Sequence, residues 1–246
     1  MRALTEGTRA TASVAAAAFD TAHHHPDPVV RQQNQAFYEF LVPLVKGYST
    51  EISVEVTSLG VQVHGGMGFI EETGAAQHYR DSRILPIYEG TTAIQANDLV
   101  GRKTARDGGQ FAKSIAAQIE ATEKDLAASG SAAAQSVAKH LAAARQAFLK
   151  AVDYIAANAK PNPNGAYAAS VPYLMLTGNL VAGWQLARAL LIAEKQLAAG
   201  QDSAFMQAKI GTARFYAEHI LPRTLAQSDS ITGGADSVMA LPVEAF

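Results

Sequence analysis

The carboxylate Glu89 lies in the segment "RILPIYEGTTAIQAND" between an aromatic residue and a glycine. The residues leave two interpretations open. In one, Glu89 and Thr91 are polar residues that open a helix running through Ile94 and Leu99. In the other, Glu89 is a base placed against a substrate, and Gly90 is small so that a ligand can approach the backbone.

The neighbours of Glu89 bear on its chemistry. Ile87 and Tyr88 precede it, and these large side chains predict a desolvated carboxylate. Desolvation raises the pKa of a carboxyl group towards neutrality, which a general base working near pH 7 requires. The local sequence is therefore compatible with a catalytic base, although it does not by itself decide between the two interpretations.

The glycine-rich stretch "HGGMGF", His64 to Phe69, is a second candidate site, since such turns can bring backbone amides against phosphate. It lacks the Gly-Lys-Ser/Thr of a P-loop and does not lie in a strand–turn–helix unit, so neither nucleotide-binding fingerprint is met. Taken alone, the pattern favours the end of a helix over a phosphate site.

Two polar clusters have simpler interpretations. Three adjacent histidines in "HHHPD", His23 to Asp27, point about 100° apart on a helix and cannot converge on one metal ion, so we expect no metal site. The stretch "YRDSR", Tyr79 to Arg83, is expected to be an exposed or internally paired charge cluster. No nucleophile-elbow pattern supports a Ser–His–Asp hydrolase.

Composition excludes several classes of function. The 246 residues are 48% hydrophobic and 17% charged, which suits packed helices and argues against disorder. A net charge of −2 gives no electrostatic case for binding nucleic acid or an anionic membrane. The chain has no cysteine, hence no disulfide or thiol nucleophile. We find neither a signal peptide nor a run of 18 apolar residues, so we expect a cytoplasmic protein without a membrane span.

Apolar periodicity predicts that the elements positioning these residues are helices, so the expected fold class is all-α. A first helix is expected from Leu4 to Ala22, ending before two prolines. A second pattern runs from Val30 to Tyr48 and should be kinked or divided at Pro43. The stretch from Ser49 onward alternates like a strand, but its length favours a helix ending at the glycines near Gly65.

The middle of the chain is mixed. Between Gly65 and Pro86 we expect loops and one short helix around Thr73 to Arg80. A helix from Gly90 to Ala105 should follow. The "RDGGQ" break after it is the candidate domain boundary, which gives domains 1–108 and 109–246.

Four further helices are expected in the second half, and helices joined by short connections anywhere in the chain should pack as an antiparallel bundle. The lone Trp184 should be in the core. The stretch "AKPNPNGAY" is expected to be a loop, and the tail from Ser228 to Phe246 mostly irregular. Apolar residues mark the four helices at 111–126, 137–155, 176–191 and 210–221.

The segment from Val61 to Lys103 resembles the signature region of the acyl-CoA dehydrogenases, an FAD-dependent family with a C-terminal helical domain. That family carries a Gln-x-x-Gly-Gly-x-Gly turn, an Arg-Asp pair and a Tyr-Glu-Gly-Thr motif in this order. Residues 109–246 are similar to the extra helical domain of a larger subgroup, which includes enzymes acting on methylmercaptopropionyl-CoA and long-chain acyl-CoA. The corresponding residues here are Gln62, Gly65, Gly66, Gly68, Arg80, Asp81, Tyr88, Glu89, Gly90 and Thr91.

The resemblance implies roles for these residues. Glu89 would remove the α-proton of an acyl-CoA thioester while hydride leaves the β-carbon for FAD, and its backbone N–H would help to polarise the thioester carbonyl. Tyr88 and Gly90 would line the acyl pocket. Ala93 stands where many members have a flavin-contacting glutamine, which is a departure. The positions matching flavin contacts are Gln62, Val63, His64, Gly65, Gly66 and Thr91.

The resemblance also implies partners: an acyl-CoA substrate, electron-transfer flavoprotein or a similar acceptor, and a homo-oligomer. Family members carry an N-terminal helical domain and a β-barrel domain that this sequence lacks. We therefore expect the C-terminal part of a longer enzyme, with an incomplete first bundle that exposes apolar surface and associates with the missing domains. The alternative is a catalytically silent helical module for subunit association, or a truncated fragment. The isolated chain is expected to be inactive and colourless.

Overall fold

The computed structural model describes residues 1–238 and 240–245, and in these ranges the chain is helical with no β-strand. The predicted all-α fold class is confirmed. The chain divides into two compact units, Met1–Ala96 and Asn97–Phe246. No helix in the described ranges combines the length and the hydropathy needed to cross a bilayer.

The first unit is built on three long helices. They are α1 (Arg2–His24), α2 (Pro28–Pro43) and α3 (Ser49–Val63), with a π-helical turn (Leu44–Tyr48) between α2 and α3. Shorter elements follow, namely α4 (Gly66–Phe69), a 3-10 turn (Glu71–Thr73), α5 (Ala75–Ser82) and α6 (Thr92–Gly101), of which α6 runs on into the second unit.

Capping and proline chemistry set the ends of α1 and α2. Beyond His24 the chain becomes extended, and Asp27 then caps α2 by accepting a hydrogen bond from the Val29 N–H at 2.8 Å. Pro28 occupies the first helical position, where its missing N–H costs nothing. The predicted break between the first two helices is therefore confirmed.

Pro43 divides the second helical pattern, as expected, but it does not stop the chain from coiling. The backbone continues through the π-helical turn, in which the Ser49 N–H donates to the Leu44 carbonyl five residues earlier. The buried side chains Leu41, Leu44 and Tyr48 fix this turn in the core. Apolar burial thus keeps the helix going where the proline lacks an N–H to donate.

The region after α3 contains more helix than the sequence predicted. Gly66–Phe69 was expected to be loop but forms one helical turn, α4. Two hydrogen bonds stabilise it: the Gly68 N–H donates to the Gly65 carbonyl at 2.9 Å, and the Thr73 hydroxyl donates to the Met67 carbonyl at 2.8 Å. The second of these contacts comes from six residues along the chain, so the local composition of glycines did not reveal it.

Within the described residues, the second unit contains the end of α6, a 3-10 turn (Ala105–Asp107) and seven further α-helices. A 3-10 turn (Val243–Ala245) comes last among its described elements. The helices are α7 (Gln110–Ser129), α8 (Ala132–Asn158), α9 (Pro163–Ala168), α10 (Ser170–Ala198), α11 (Ser203–His219), α12 (Arg223–Gly233) and α13 (Ala235–Val238).

The break at "RDGGQ" is present, and α6 is shorter than the expected Gly90 to Ala105. Gly108 and Gly109 both have positive φ, at 68° and 82°, a conformation that glycine adopts without steric cost. The Asp107 carboxylate accepts hydrogen bonds from the Gly109 and Phe111 N–H groups, at 3.0 and 2.9 Å. This aspartate therefore caps the start of α7.

The long helix α10 is the centre of the second unit, because it packs against α7, α8, α11 and α12. Trp184 is buried on α10, as predicted, and its indole N–H donates to the Thr122 hydroxyl at 2.8 Å. Arg145 on α8 donates two hydrogen bonds to Glu123 on α7, at 2.8 and 2.9 Å. These polar pairs fix the alignment of α7 with its neighbours.

Two sequence predictions for the second unit are wrong. "AKPNPNGAY" is not all loop, because α9 begins within it at Pro163, and the Asn162 side chain accepts from the Gly165 N–H at 3.1 Å. The tail from Ser228 is not mostly irregular, because it includes the end of α12 and all of α13. Met239 and Phe246, which belong to the same tail, lie outside the described residues.

The helix α12 was missed because its buried side is small and polar. Thr224, Ser228 and Ile231 are buried at helical spacing, and the Ser228 hydroxyl donates to the Ala147 carbonyl on α8 at 3.1 Å. Serine, aspartate and glycine in "AQSDSITGGADS" are typical of a loop. Tertiary packing against α8 and α10 outweighs that local preference.

Candidate functional site

The turn before α6 holds Glu89 in an unusual backbone conformation. Glu89 has φ 50°, and within the described ranges it is the one non-glycine residue whose φ lies in the left-handed region. Gly90 follows with φ 95°. A left-handed φ is sterically unfavourable for a residue with a Cβ, and such residues cluster at functional sites.

Hydrogen bonds close the turn around Glu89. The Thr92 N–H donates to the Pro86 carbonyl at 3.1 Å, and the Tyr88 N–H donates to the Ile84 carbonyl at 3.2 Å. For the amides of Glu89, Gly90 and Thr91, the described part of the chain offers no hydrogen-bond partner. These three N–H groups precede α6 and remain available to an acceptor.

Thr91 has a structural role in this turn. Its hydroxyl accepts a hydrogen bond from the Ile94 N–H at 3.3 Å, so Thr91 caps α6. The helix-opening interpretation therefore holds for Thr91. Glu89 lies two residues further back and makes no such cap bond within the described structure.

The desolvation predicted for Glu89 is wrong for this chain. Glu89 is exposed, and its neighbours Ile87 and Tyr88 keep 52% and 48% of their surface accessible. The connection from α5 to α6 runs over the surface of the first unit, so its apolar side chains do not cover the carboxylate. Apolar neighbours in sequence desolvate an acid only when they fold over it.

The glycine-rich turn ends α3, as its pattern favoured. Gln62 and Val63 form the last turn of the helix and are exposed. His64 follows with its Nδ1 at 2.8 Å from the Gly60 carbonyl. Gly65 has φ 60° and ψ −142°, a conformation open essentially only to glycine.

The fold explains the glycine at position 68 but not the glycine at position 66. A Cβ at Gly68 would lie 2.2 Å from the Val61 carbonyl oxygen, so close packing against α3 requires glycine there. A Cβ at Gly66 would meet no atom within 4 Å, and its φ is not positive. The fold of this chain therefore gives no reason for glycine at position 66.

We expect Gly68→Ala to destabilise the first unit by about 1–3 kcal/mol, because α3 and α4 must separate to admit the methyl group. Gly66→Ala is the matched control in the same turn, and it should change stability by no more than about 0.5 kcal/mol. Urea unfolding followed by circular dichroism measures both. Equal stability of the two variants would contradict the packing argument.

The remaining polar clusters carry no ligand geometry. His23 Nδ1 lies 2.8 Å from the Phe19 carbonyl, and His25 Nδ1 accepts from the Asp27 N–H. Among residues 1–238 and 240–245 no three histidine, aspartate or glutamate side chains are grouped to hold a metal ion. In "YRDSR", Arg80 donates two hydrogen bonds to Glu71 and thereby holds the pKa of that carboxyl below its usual range. The stretch is exposed except at Ser82, which agrees with the first of the two expectations, and the partner of Arg80 lies outside it.

Large apolar side chains are exposed around both turns, as expected for the first unit. Val63 and Phe69 flank the glycine turn and are 76% and 82% accessible. Ile84 and Ile94 flank the Glu89 turn and are also exposed. The nine predicted site residues also lie on the surface of the first unit, and among them only Gly90 is partly covered.

Two residues that touch the Glu89 turn were missed in the sequence. The Lys46 ammonium group donates to the Leu85 carbonyl at 2.5 Å, and the Thr92 hydroxyl donates to Glu51 at 2.5 Å. Lys46 and Glu51 lie about 40 residues before the turn, and no local pattern connects them to it.

Comparison with known proteins agrees with this architecture. Residues 1–103 match the family model described as the C-terminal domain of acyl-CoA dehydrogenase, and residues 111–242 match the model described as acetyl-CoA dehydrogenase C-terminal like. An acyl-CoA dehydrogenase from Bacillus anthracis, solved in complex with FAD, shares the fold with a TM-score of 0.70 at 19% identity. That match covers 95% of this chain and 41% of the solved chain.

Two curated relatives extend the comparison. The 3-methylmercaptopropionyl-CoA dehydrogenase of Ruegeria pomeroyi is 57% identical over 239 residues, which is 97% of this chain and 40% of that enzyme. A broad-specificity linear acyl-CoA dehydrogenase of Mycobacterium tuberculosis is 31% identical over 216 residues, 85% of this chain and 35% of that enzyme. The chain thus spans well under half the length of these relatives, and it belongs to the acyl-CoA dehydrogenase family.

Proposed function

We propose that this chain contributes the catalytic base to an FAD-dependent acyl-CoA dehydrogenase, which converts an acyl-CoA thioester to the trans-2-enoyl-CoA. The observation that carries the proposal is the left-handed backbone of Glu89 in an exposed turn. Such a conformation costs on the order of 1–3 kcal/mol, and proteins retain it mainly where it places a functional group.

The turn provides the two groups that α-proton abstraction needs. The carboxylate of Glu89 would accept the proton from the α-carbon of the thioester. The Glu89 N–H, which has no partner within the described structure, would donate to the thioester oxygen as negative charge develops there. Bound FAD would supply the acceptor for the hydride that leaves the β-carbon.

Tyr88 and Gly90 would shape the substrate side of the site. Gly90 requires glycine for its φ of 95°, and a Cβ there would also approach the Gln95 side chain at 2.8 Å. The absent side chain leaves the backbone beside Glu89 open to a thioester. The half-exposed ring of Tyr88 is available to line the acyl chain.

The proposed FAD contacts are in part compatible with the structure. Gly66 faces open space and has no folding reason to be glycine, which fits a backbone that a flavin nucleotide approaches closely. Thr91 uses its hydroxyl to cap α6, so a contact to flavin would add to that role. Ala93 has no polar side chain, so it cannot replace the glutamine found in many family members. The other proposed contacts are Gln62, Val63, His64 and Gly65.

The exposure of Glu89 places a condition on this function. A base that works near neutral pH needs desolvation, and the residues around Glu89 do not supply it. We infer that bound acyl-CoA, FAD and further protein surface would cover the turn, including surface from a homo-oligomer or from N-terminal domains of the kind that the family carries. Electron-transfer flavoprotein or a similar acceptor would then reoxidise the flavin.

We also propose that the chain comprises two domains, residues 1–108 and 109–246.

The visible spectrum tests this function. Because its proposed contact residues are exposed, the purified 246-residue chain is expected to be colourless and inactive by itself. The flavin-loaded protein that contains this chain should lose its visible absorbance on anaerobic addition of a saturated acyl-CoA, with formation of one enoyl-CoA per flavin. Absence of bleaching with short, long and methylmercaptopropionyl thioesters would contradict the proposed reaction. A stoichiometric flavin spectrum in the chain alone would contradict the first expectation.

A further inference from the structure

The Glu89 turn needs support from other segments of the chain, because a positive φ is locally unfavourable for a residue with a Cβ such as Glu89. The turn is exposed and its own amides are largely unpaired within the described chain. The groups that hold it must therefore come from residues that contact its two ends.

A lysine holds the first end. Lys46 lies in the π-helical turn after Pro43 and is partly buried. Its ammonium group donates to the Leu85 carbonyl at 2.5 Å and lies 4.9 Å from the centroid of the Tyr88 ring. It thus combines a charged hydrogen bond with a cation–π contact, one on each side of Pro86 and Ile87.

A glutamate holds the second end. Glu51 lies in the first turn of α3, and its carboxylate accepts the Thr92 hydroxyl at 2.5 Å. Thr92 also donates its N–H to the Pro86 carbonyl, which closes the turn. Lys46 and Glu51 are five residues apart on one continuous helical segment, so both ends of the Glu89 turn are tied to a single rigid element.

We propose that Lys46 and Glu51 are positioning residues that fix the Glu89 turn in its left-handed conformation, and so aim the base and its free N–H. The assignment of their purpose rests on the proposed function of Glu89. That the two side chains fix the turn is independent of the proposed function. Lys46 is the sole lysine in the sequence of residues 1–96, so no other lysine of the first unit can substitute for it.

Lys46→Met tests the claim in the full 246-residue chain, because methionine keeps the apolar stem and removes the ammonium group. We expect hydrogen exchange at the Tyr88 and Thr92 amides to accelerate by about tenfold or more, since a hydrogen bond to a charged group is worth at least that factor. The strong intraresidue NOE between HN and Hα, which a left-handed φ gives at Glu89, should weaken. Amides in the middle of α3 should keep their protection.

Three further variants make the test specific. Lys46→Arg can still donate and stack, so it should restore protection at Tyr88 and Thr92. Thr92→Val removes the hydroxyl that Glu51 holds and should accelerate exchange at the same amides. Lys113→Met removes an ammonium group that pairs with Asp153 on the exposed surface of the second unit, and it should change nothing in the turn. Unchanged exchange and NOE in Lys46→Met would overturn the proposal, as would uniform loss of protection throughout α3.

The flavin-loaded enzyme separates this proposal from the proposed function. Lys46→Met should lower kcat for acyl-CoA oxidation by about tenfold or more with little change in KM. A misplaced base stabilises the transition state less, while the substrate still binds with nearly the same affinity. Normal kcat in Lys46→Met would overturn the positioning role. Full activity of Glu89→Gln would instead overturn the role of Glu89, while the exchange results would still report the support of the turn.

Discussion

Replacing Glu89 with glutamine is expected to lower the turnover of the flavin-loaded enzyme by about 10²–10⁴-fold, the range that a positioned general base contributes. Glutamine keeps the shape of the side chain and its hydrogen-bonding reach but cannot accept the α-proton. KM and the flavin content should therefore change little. Steady-state oxidation of an acyl-CoA, together with the visible spectrum of the purified variant, measures both quantities.

Glu72→Gln is the matched control for this variant. Glu72 is an exposed acid of the first unit that lies in the 3-10 turn after α4 and outside the proposed site. The same change of charge there should leave kcat unchanged. Full turnover in Glu89→Gln, or an equal loss in both variants, would show that Glu89 is not the base.

Truncating Phe148 to alanine is expected to destabilise the second unit by about 3–5 kcal/mol, the range for a fully buried aromatic side chain. Phe148 is inaccessible on α8, and its ring stacks on that of Tyr173 with centroids 6.1 Å apart and an interplanar angle of 2°. Tyr173 is buried too and shares a hydrogen bond of 2.9 Å with the Thr104 hydroxyl, while burial raises the pKa of its phenol far above the usual range. The truncation would therefore open a cavity beside a buried polar pair.

The lone tryptophan provides the measurement. Trp184 is buried in the same unit, so its fluorescence during urea unfolding reports the stability of that unit. Phe205→Ala is the control, because Phe205 on α11 keeps 49% of its surface accessible and should contribute within about 0.5 kcal/mol. If the two variants unfold at similar urea concentrations, the proposed core around Phe148 is wrong.

Local sequence determined most of the helices. Apolar residues at spacings of three and four predicted α2, α7, α8, α10 and α11, because burial of one face stabilises a helix more than intrinsic propensity does. The helices α1 and α3 followed from their lengths and from the prolines and glycines that end them. The break before Pro28, the division at Pro43 and the turn at Gly108 followed from backbone chemistry that needs no distant partner. The linked motifs between Val61 and Lys103 likewise indicated the family, which no single motif would have done.

Tertiary structure determined two helical segments and the exposure of Glu89, which local sequence did not predict. The helix α12 is stabilised by packing against α8 and α10, and the turn at Gly66–Phe69 by the hydrogen bond from the Thr73 hydroxyl to the Met67 carbonyl. The apolar neighbours of Glu89 stay about half exposed and do not cover its carboxylate, so hydrophobic sequence did not produce a desolvated acid.

The contacts that support the Glu89 turn show most clearly that local sequence does not reveal interactions between distant segments. Lys46 and Glu51 contact its ends across 39 and 41 residues of sequence. Sequence proposed Glu89 as a base through the resemblance to a known family, since motif residues can be recognised without knowledge of the fold. Only the fold revealed what holds that acid in place, because a hydrogen bond between distant segments depends on where the packed helices bring their backbones.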